Sequence, residues 1–192
     1  NHAVTWTEVA NGTHVAAAIT ASATMTDADN VNFSSMQFTL GGLLDGNSEV
    51  VTIGGTAFPL AADASNVVVT GGFKVSYANA SGIFTITPNG AAYATLTSFQ
   101  TLLNTVIYNN LTDNPTDGDR TLTVLVTDAG LNNLAGVGSV SSTLVTTTIN
   151  VNPVNDQPTI AGLVAASYFE NAINAAAATL DATATVTDID SP

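Results

Sequence analysis

The stretch Thr121-Leu-Thr-Val-Leu-Val-Thr127 alternates apolar and threonine side chains. A period of two places Leu122, Val124 and Val126 on one face with threonines mostly on the other, which is the pattern of a half-buried strand and not of a helix. Residues 143–151 (TLVTTTINV) repeat it. Shorter runs of the same kind fall at residues 4–8, 16–25, 36–40, 50–53, 67–69, 73–76 and 83–87. Between them stand Gly41-Gly42, Asp45-Gly46, Gly54-Gly55, Gly71-Gly72 and Asn89-Gly90, dipeptides that supply tight turns. Many short strands separated by turns predict an all-β chain, an antiparallel β-sandwich of Greek-key type. One segment departs from the rule. Phe99, Leu102, Leu103 and Val106 recur at helical spacing behind Thr97 and Ser98, which predicts one short helix packed across an end or edge of the sandwich.

Such a sandwich must hold without covalent staples, because cysteine is absent. The same absence removes thiol nucleophiles and cysteine-based zinc sites. Fifteen acidic residues face two basic ones, Lys74 and Arg120, for a formal net charge of −13. A surface so acidic repels phosphate backbones and anionic lipid headgroups, so nucleic acid is excluded as a partner. No run approaches the ~18 consecutive apolar residues of a membrane helix, and no membrane insertion is expected. Twelve of the fifteen acids are Asp, the carboxylate of turns and cation sites rather than of exposed helices. No G-x-S-x-G, P-loop or H-E-x-x-H motif occurs, and His14 reads as part of a loop-to-strand junction, so the chain is not expected to be an enzyme.

The chain also repeats itself. Trp6-Thr-Glu8 is followed by Ala23-Thr-Met-Thr-Asp-Ala-Asp29, and Tyr168-Phe-Glu170 by Ala184-Thr-Val-Thr-Asp-Ile-Asp190. Glu8 and Glu170 lie 162 positions apart and Asp27 and Asp188 lie 161 apart, so one single-residue indel aligns both signatures. The expected organisation is therefore a full repeat over residues 1–152, a linker over 153–158, and the opening of the next repeat over 159–192, excerpted from a longer array. The linker, Pro153-Val-Asn-Asp-Gln-Pro158, holds two prolines and no glycine, which makes it stiff and extended.

Two Asp at positions i and i+2 just after a strand bring two carboxylates around one turn, a natural cation pair. Calcium takes six to eight oxygen ligands, whereas zinc would find only His2 and His14, and magnesium prefers to keep its waters. D-x-D by itself also fits an ordinary turn. Its recurrence behind an aromatic-x-Glu raises it above that. The segment around Asn110, Asp113, Asp117, Asp119 and Arg120 reads either as a cation site or as a hydrogen-bonded loop with Arg120 as internal counter-ion.

Four elements in order resemble the cadherin repeat: an early Glu (Glu8), a D-x-D (Asp27, Asp29), a D-x-G (Asp128-Ala-Gly130) and V-N-D-x-P (Val154-Asn-Asp-Gln-Pro158). The stretch from Tyr108 to Thr121 is similar to a segment of cadherin-like tandem repeats in very large bacterial surface and secreted adhesins of the RTX type. The resemblance implies calcium ions at the seam between successive repeats. The ligands it implies are Glu8, Asp27, Asp29, Asp119, Asp128, Asn155 and Asp156, with Glu170, Asp188 and Asp190 from the following repeat. It further implies an extracellular location at the bacterial cell surface, neighbouring repeats of the same chain as partners, and contact with host or biofilm ligands through other domains. There are departures: the unit is longer than a cadherin repeat, residues 30–106 have no counterpart, and Thr121 stands where the family's D-R-E has its Glu. The implied function is a structural extender of an adhesin. The alternative is a glycan- or protein-binding module of the same adhesin, built from residues 30–106.

Overall fold

The computed structural model describes residues 2–10, 12–21, 23–28, 30–130, 138–165, 167 and 181–191. The chain runs β1 (His2–Thr7), β2 (Ala17–Ala18), β3 (Asn32–Gly41), β4 (Glu49–Ile53), β5 (Thr56–Pro59), β6 (Ala64–Val69), β7 (Phe73–Ala78), β8 (Ile83–Pro88), β9 (Ala94–Thr95), α1 (Leu96–Leu103), β10 (Ile107–Asn110), β11 (Gly118–Asp128), β12 (Val145–Asn152), β13 (Thr159–Ala161) and β14 (Thr185–Thr187). The larger sheet has the order β1-β12-β11-β3-β8-β7-β6, with β9 added beside β3. A smaller sheet, β2-β10-β4-β5, packs against it, and β13 pairs with β14 as a separate two-stranded sheet. The molecule is an all-β sandwich, with one α-helix among the described residues. Among those residues the pairings are antiparallel except that β1 runs parallel to β12, from His2 opposite Thr147 to Thr7 opposite Asn152.

Period-two burial builds the core. On β7 the buried side chains are Phe73, Val75 and Tyr77, and on β8 they are Phe84, Ile86 and Pro88. Register puts Tyr77 opposite Phe84 and Val75 opposite Ile86. Directly opposed residues share a face, so the Tyr77 and Phe84 rings stack at 4.2 Å. Phe58 of the smaller sheet meets Phe84 edge-on at 5.8 Å and closes the sandwich from the other side.

The helix starts at Leu96, earlier than its spacing predicts, because Thr95 is the residue that caps it: its side chain accepts from the Ser98 amide at 3.2 Å. Phe99, Leu102 and Leu103 are buried, and the Phe99 ring lies 4.7 Å from Phe73 and 6.2 Å from Phe33. Val106 falls beyond the helix, where it is buried and its carbonyl accepts from Ile19. Thr95 is exposed, so Thr95→Ala removes the cap and little else. It is expected to cost about 1 kcal/mol, read as a lower urea midpoint at unchanged m-value.

Three elements differ from the sequence pattern. The run at 16–25 pairs only at Ala17–Ala18 and then leaves the ladder. β5 ends in Pro59, which lacks an amide donor; the strand sits at the sheet edge, where that donor is not needed. β10, with the sequence IYNN, is as polar as a loop yet lies between β2 and β4. Residues 30–106, without counterpart in the resemblance, supply β3 to β9 and α1, the centre of the sandwich.

Candidate metal centre

At the end of β1 the backbone of Glu8 donates to the Asn152 carbonyl, which carries its side chain inward beside the linker. Glu8 is only 3% exposed. One carboxylate oxygen, Oε2, accepts from the Val154 amide at 2.9 Å, while Oε1 is buried with no hydrogen-bond partner. Two residues further along the linker, Asp156 is equally buried, and its amide donates to Asp190 Oδ2 at 3.0 Å. Asp190 follows β14, so this bond ties the linker to the chain beyond it. Asp113, in the loop between β10 and β11, completes the group, its Oδ1 3.4 Å from His14 Nε2. A cleft of about 410 Å³ opens among Asp113, Asp156, Gln157, Thr159, Thr187 and Asp188.

The electrostatics follow from this crowding. Burial raises the Glu8 pKa above the usual carboxylate range, opposed by the Val154 amide, and the negative charges of Asp156, Asp113 and Asp190 push it further up. The Asp188 pKa is raised, chiefly by the Asp190 carboxylate beside it. Asp190 is lowered, chiefly by the Asp156 amide. Buried oxygens at Glu8 Oε1, Asp188 Oδ1 and Asp190 Oδ1 all lack a hydrogen-bond donor. Carboxylates gathered without donors repel one another, and a divalent cation relieves both the repulsion and the unmet acceptor capacity. The donor chemistry is that of a hard, oxygen-preferring ion, since the group offers carboxylate oxygens and no sulfur. Among the described residues, no group of three or more His, Cys, Asp or Glu side chains is arranged so that it could hold a metal ion.

The remaining expected ligands take other places. Asp128 is nearly buried at the end of β11, where its Oδ1 accepts from the Gly130 and Val140 amides, both at 2.9 Å, and so organises the D-A-G turn. Asp27 Oδ1 accepts from the Asn30 amide at 3.1 Å, and Asn30 Nδ2 donates to the Gly130 carbonyl at 3.0 Å. Asp27 and Asp128 therefore share one end of the sandwich with Asn30 between them. Glu8 lies at the other end, because Gly118 at the start of β11 is opposite Val151. At about 3.4 Å per residue, the eleven residues of β11 separate the two ends by roughly 30 Å. Asp119 is exposed and accepts from Asn150 Nδ2 across the β11–β12 ladder. Asn155 is exposed and donates to the Asp156 carbonyl. Asp29 and Glu170 lie outside the described residues.

Arg120 takes the second of the roles open to it, that of internal counter-ion. It is fully buried; Nε donates to Glu49 Oε1 and Nη2 to Asp45 Oδ2, both at 2.7 Å, and Nη1 to the Thr116 and Gly118 carbonyls. Its two carboxylate partners lie more than seventy residues away in sequence, which is why the loop residues alone did not name them. The chain matches no family model and no curated protein.

Proposed function

We propose that the chain is a calcium-binding structural unit of a tandem array, of the kind that extends a bacterial surface adhesin. The observation that carries the proposal is the group at the linker. Glu8 comes from the first strand of one unit, Asp156 from the linker, and Asp188 and Asp190 from the start of the next, and the buried Glu8 Oε1 has no donor. An ion held there by all three links the position of one unit to the position of the next, while the prolines keep the linker extended. The work is mechanical: calcium stiffens the seam, and the partners of each unit are its neighbours along the chain. Targets on a host or biofilm surface are then met by other domains, at an extracellular location. Because the carboxylates are committed to the cation, no small-molecule turnover is expected.

Small-angle scattering on a chain of two repeats tests the clamp. Calcium is expected to lengthen the maximum dimension relative to chelator, and Asp156→Ala to remove the difference while circular dichroism of the sandwich stays unchanged. Equal dimensions with and without calcium in the wild-type chain would mean that proline stiffness alone holds the linker.

A further inference from the structure

The inner face of the larger sheet loses its cover toward one end. On β11, Leu122 is fully buried, yet Val124 and Val126 on the same face are only partly buried. On β12, Ile149 and Thr147 are buried, yet Val145 is 55% exposed. A groove of about 360 Å³ opens there, lined by Met25, Phe33, Val124, Val126 and Val145 among others.

The groove's outer wall is an extended segment without a ladder. From Ala23 to Asp27 the side chains alternate between partly buried and exposed, as in a strand, with Ala23 and Met25 inward. Side-chain bonds hold it in place: the Met25 amide donates to Gln100 Oε1 and Gln100 Nε2 donates to the Ala23 carbonyl. The amides of Thr24 and Thr26 have no hydrogen-bond partner among the described residues. An extended segment with open amides is a template for another strand.

The repeat shows which strand fits. Thr24, Met25 and Thr26 correspond, 161 positions on, to Thr185, Val186 and Thr187, which are β14. There a ladder is present: β13 pairs antiparallel with β14, Thr159 opposite Thr187, Ile160 opposite Val186 and Ala161 opposite Thr185. In the first repeat the positions matching β13 precede Asn1. They can reach the groove, since His2 is opposite Thr147 and Thr147 also lines it.

We propose that this groove is the docking site for a strand of the Thr159-Ile160-Ala161 type, the segment that a linker delivers directly ahead of the repeat, just as β13 lies ahead of and pairs with β14. The strand pairs along residues 24–26, with its Ile opposite Met25 as Ile160 is opposite Val186. Opposed side chains share a face, so that Ile enters the groove beside Val124, Val126 and Val145. In the second copy Ile160 and Val186 are 65% and 70% exposed, the condition of the same pair with no sandwich beneath it. Each repeat then completes its sandwich with a strand that the linker delivers.

The inference rests on the repeat that underlies the array reading and not on its calcium, so the test is run in chelator. The chain has no cysteine, which makes an engineered pair specific. A second copy of residues 153–162 is placed directly ahead of Asn1, with Met25→Cys and with Ile160→Cys in the added copy. Mild oxidation is expected to consume both thiols, as it should for Ile160→Cys with Val186→Cys in the chain as it stands. Free thiols in the first pair alongside oxidation of the second would overturn the proposal. Without cysteines, the added strand is expected to raise the melting temperature by several degrees, and Val145→Arg at the exposed groove rim to cancel the rise. No rise would count against docking, whatever calcium does in separate samples.

Discussion

Arg120→Ala is expected to be the most damaging single substitution outside the aromatic core. Arg120 belongs to β11 of the larger sheet, while Glu49 begins β4 and Tyr108 and Asn110 lie on β10, both in the smaller one. Glu49 Oε1 accepts from Arg120 Nε and from the Tyr108 hydroxyl, and Oε2 accepts from the Leu44 and Asp45 amides. Asp45 in turn accepts from Arg120, Asn110 and the Thr116 amide. Both sheets are thus fastened by one satisfied polar network in a chain without disulfides. Removing the guanidinium leaves Glu49, which is fully buried, with an uncompensated charge. Breaking one partner of a buried pair costs about 3–5 kcal/mol, whereas replacing every partner with apolar groups is often neutral. For a domain of this size that loss lowers the melting temperature by roughly 6–20 °C. Arg120→Lys should fall between, since an ammonium cannot span both carboxylates as the planar fork does. A shift under 2 °C for Arg120→Ala would show that the network does not fasten the sheets. Tyr108 adds a spectroscopic check: burial first, and then the Glu49 charge, push its phenol far above the usual range, so it should resist alkaline titration until the fold opens.

The strands that alternate cleanly were legible because burial on one face writes itself into every second residue. Leu122 and Ile149, Val75 and Ile86 are of this kind. The smaller sheet was less legible for a physical reason. β10 contributes Tyr108 to the core and Asn110 to the ion network, so its inward face mixes an aromatic with an amide and carries no hydropathy alternation. The parallel pairing of β1 with β12 has no local signature at all, because it joins residues about 145 positions apart.

At the linker, sequence reasoning reached Glu8, Asp188 and Asp190 because the repeat marks their signatures at matched distances, and Asp156 through the V-N-D-x-P of the linker. It placed Asp113 only in the candidate cation cluster of Asn110, Asp113, Asp117, Asp119 and Arg120 and did not join it to the linker group, because the acids of that loop look alike in sequence. Asp113, Asp117 and Asp119 differ in what surrounds them: Asp113 faces His14 and adds its charge to Glu8, while Asp119 faces Asn150. Asp128 carries a turn signature and a ligand signature at once, and the structure shows the first, with two amides on one oxygen. Turn acids and ligand acids share a residue type, so only the count of donors around each oxygen separates them.

Calcium is expected to raise the melting temperature, and to do so more at pH 7 than at pH 5. An ion that binds only the folded chain adds RT ln(1 + [L]/Kd), about 2.7 kcal/mol at a hundredfold excess over Kd, or roughly 5–11 °C here. The pH dependence follows from Glu8. Its folded pKa lies above the unfolded value of 4.5, so between the two the folded chain binds more protons. In chelator, the Glu8 contribution to stability therefore falls as pH rises from about 4.5 through the folded pKa. Asp188 shifts the same way and Asp190 the opposite way, so the Asp pair partly cancels. Calcium competes with those protons, so its stabilisation grows over the same window and offsets the loss. Glu8→Gln keeps an acceptor for the Val154 amide and removes the buried charge. It should leave the chelated protein as stable as wild type or more so, while cutting the calcium increment and most of its pH dependence. Magnesium should give a smaller increment than calcium, because it gives up its waters reluctantly. Melting curves at pH 5 and pH 7, with millimolar calcium, with magnesium and with chelator, decide the matter. An identical calcium increment in wild type and Glu8→Gln would remove Glu8 from the site, and no increment at either pH would sink the calcium reading as a whole.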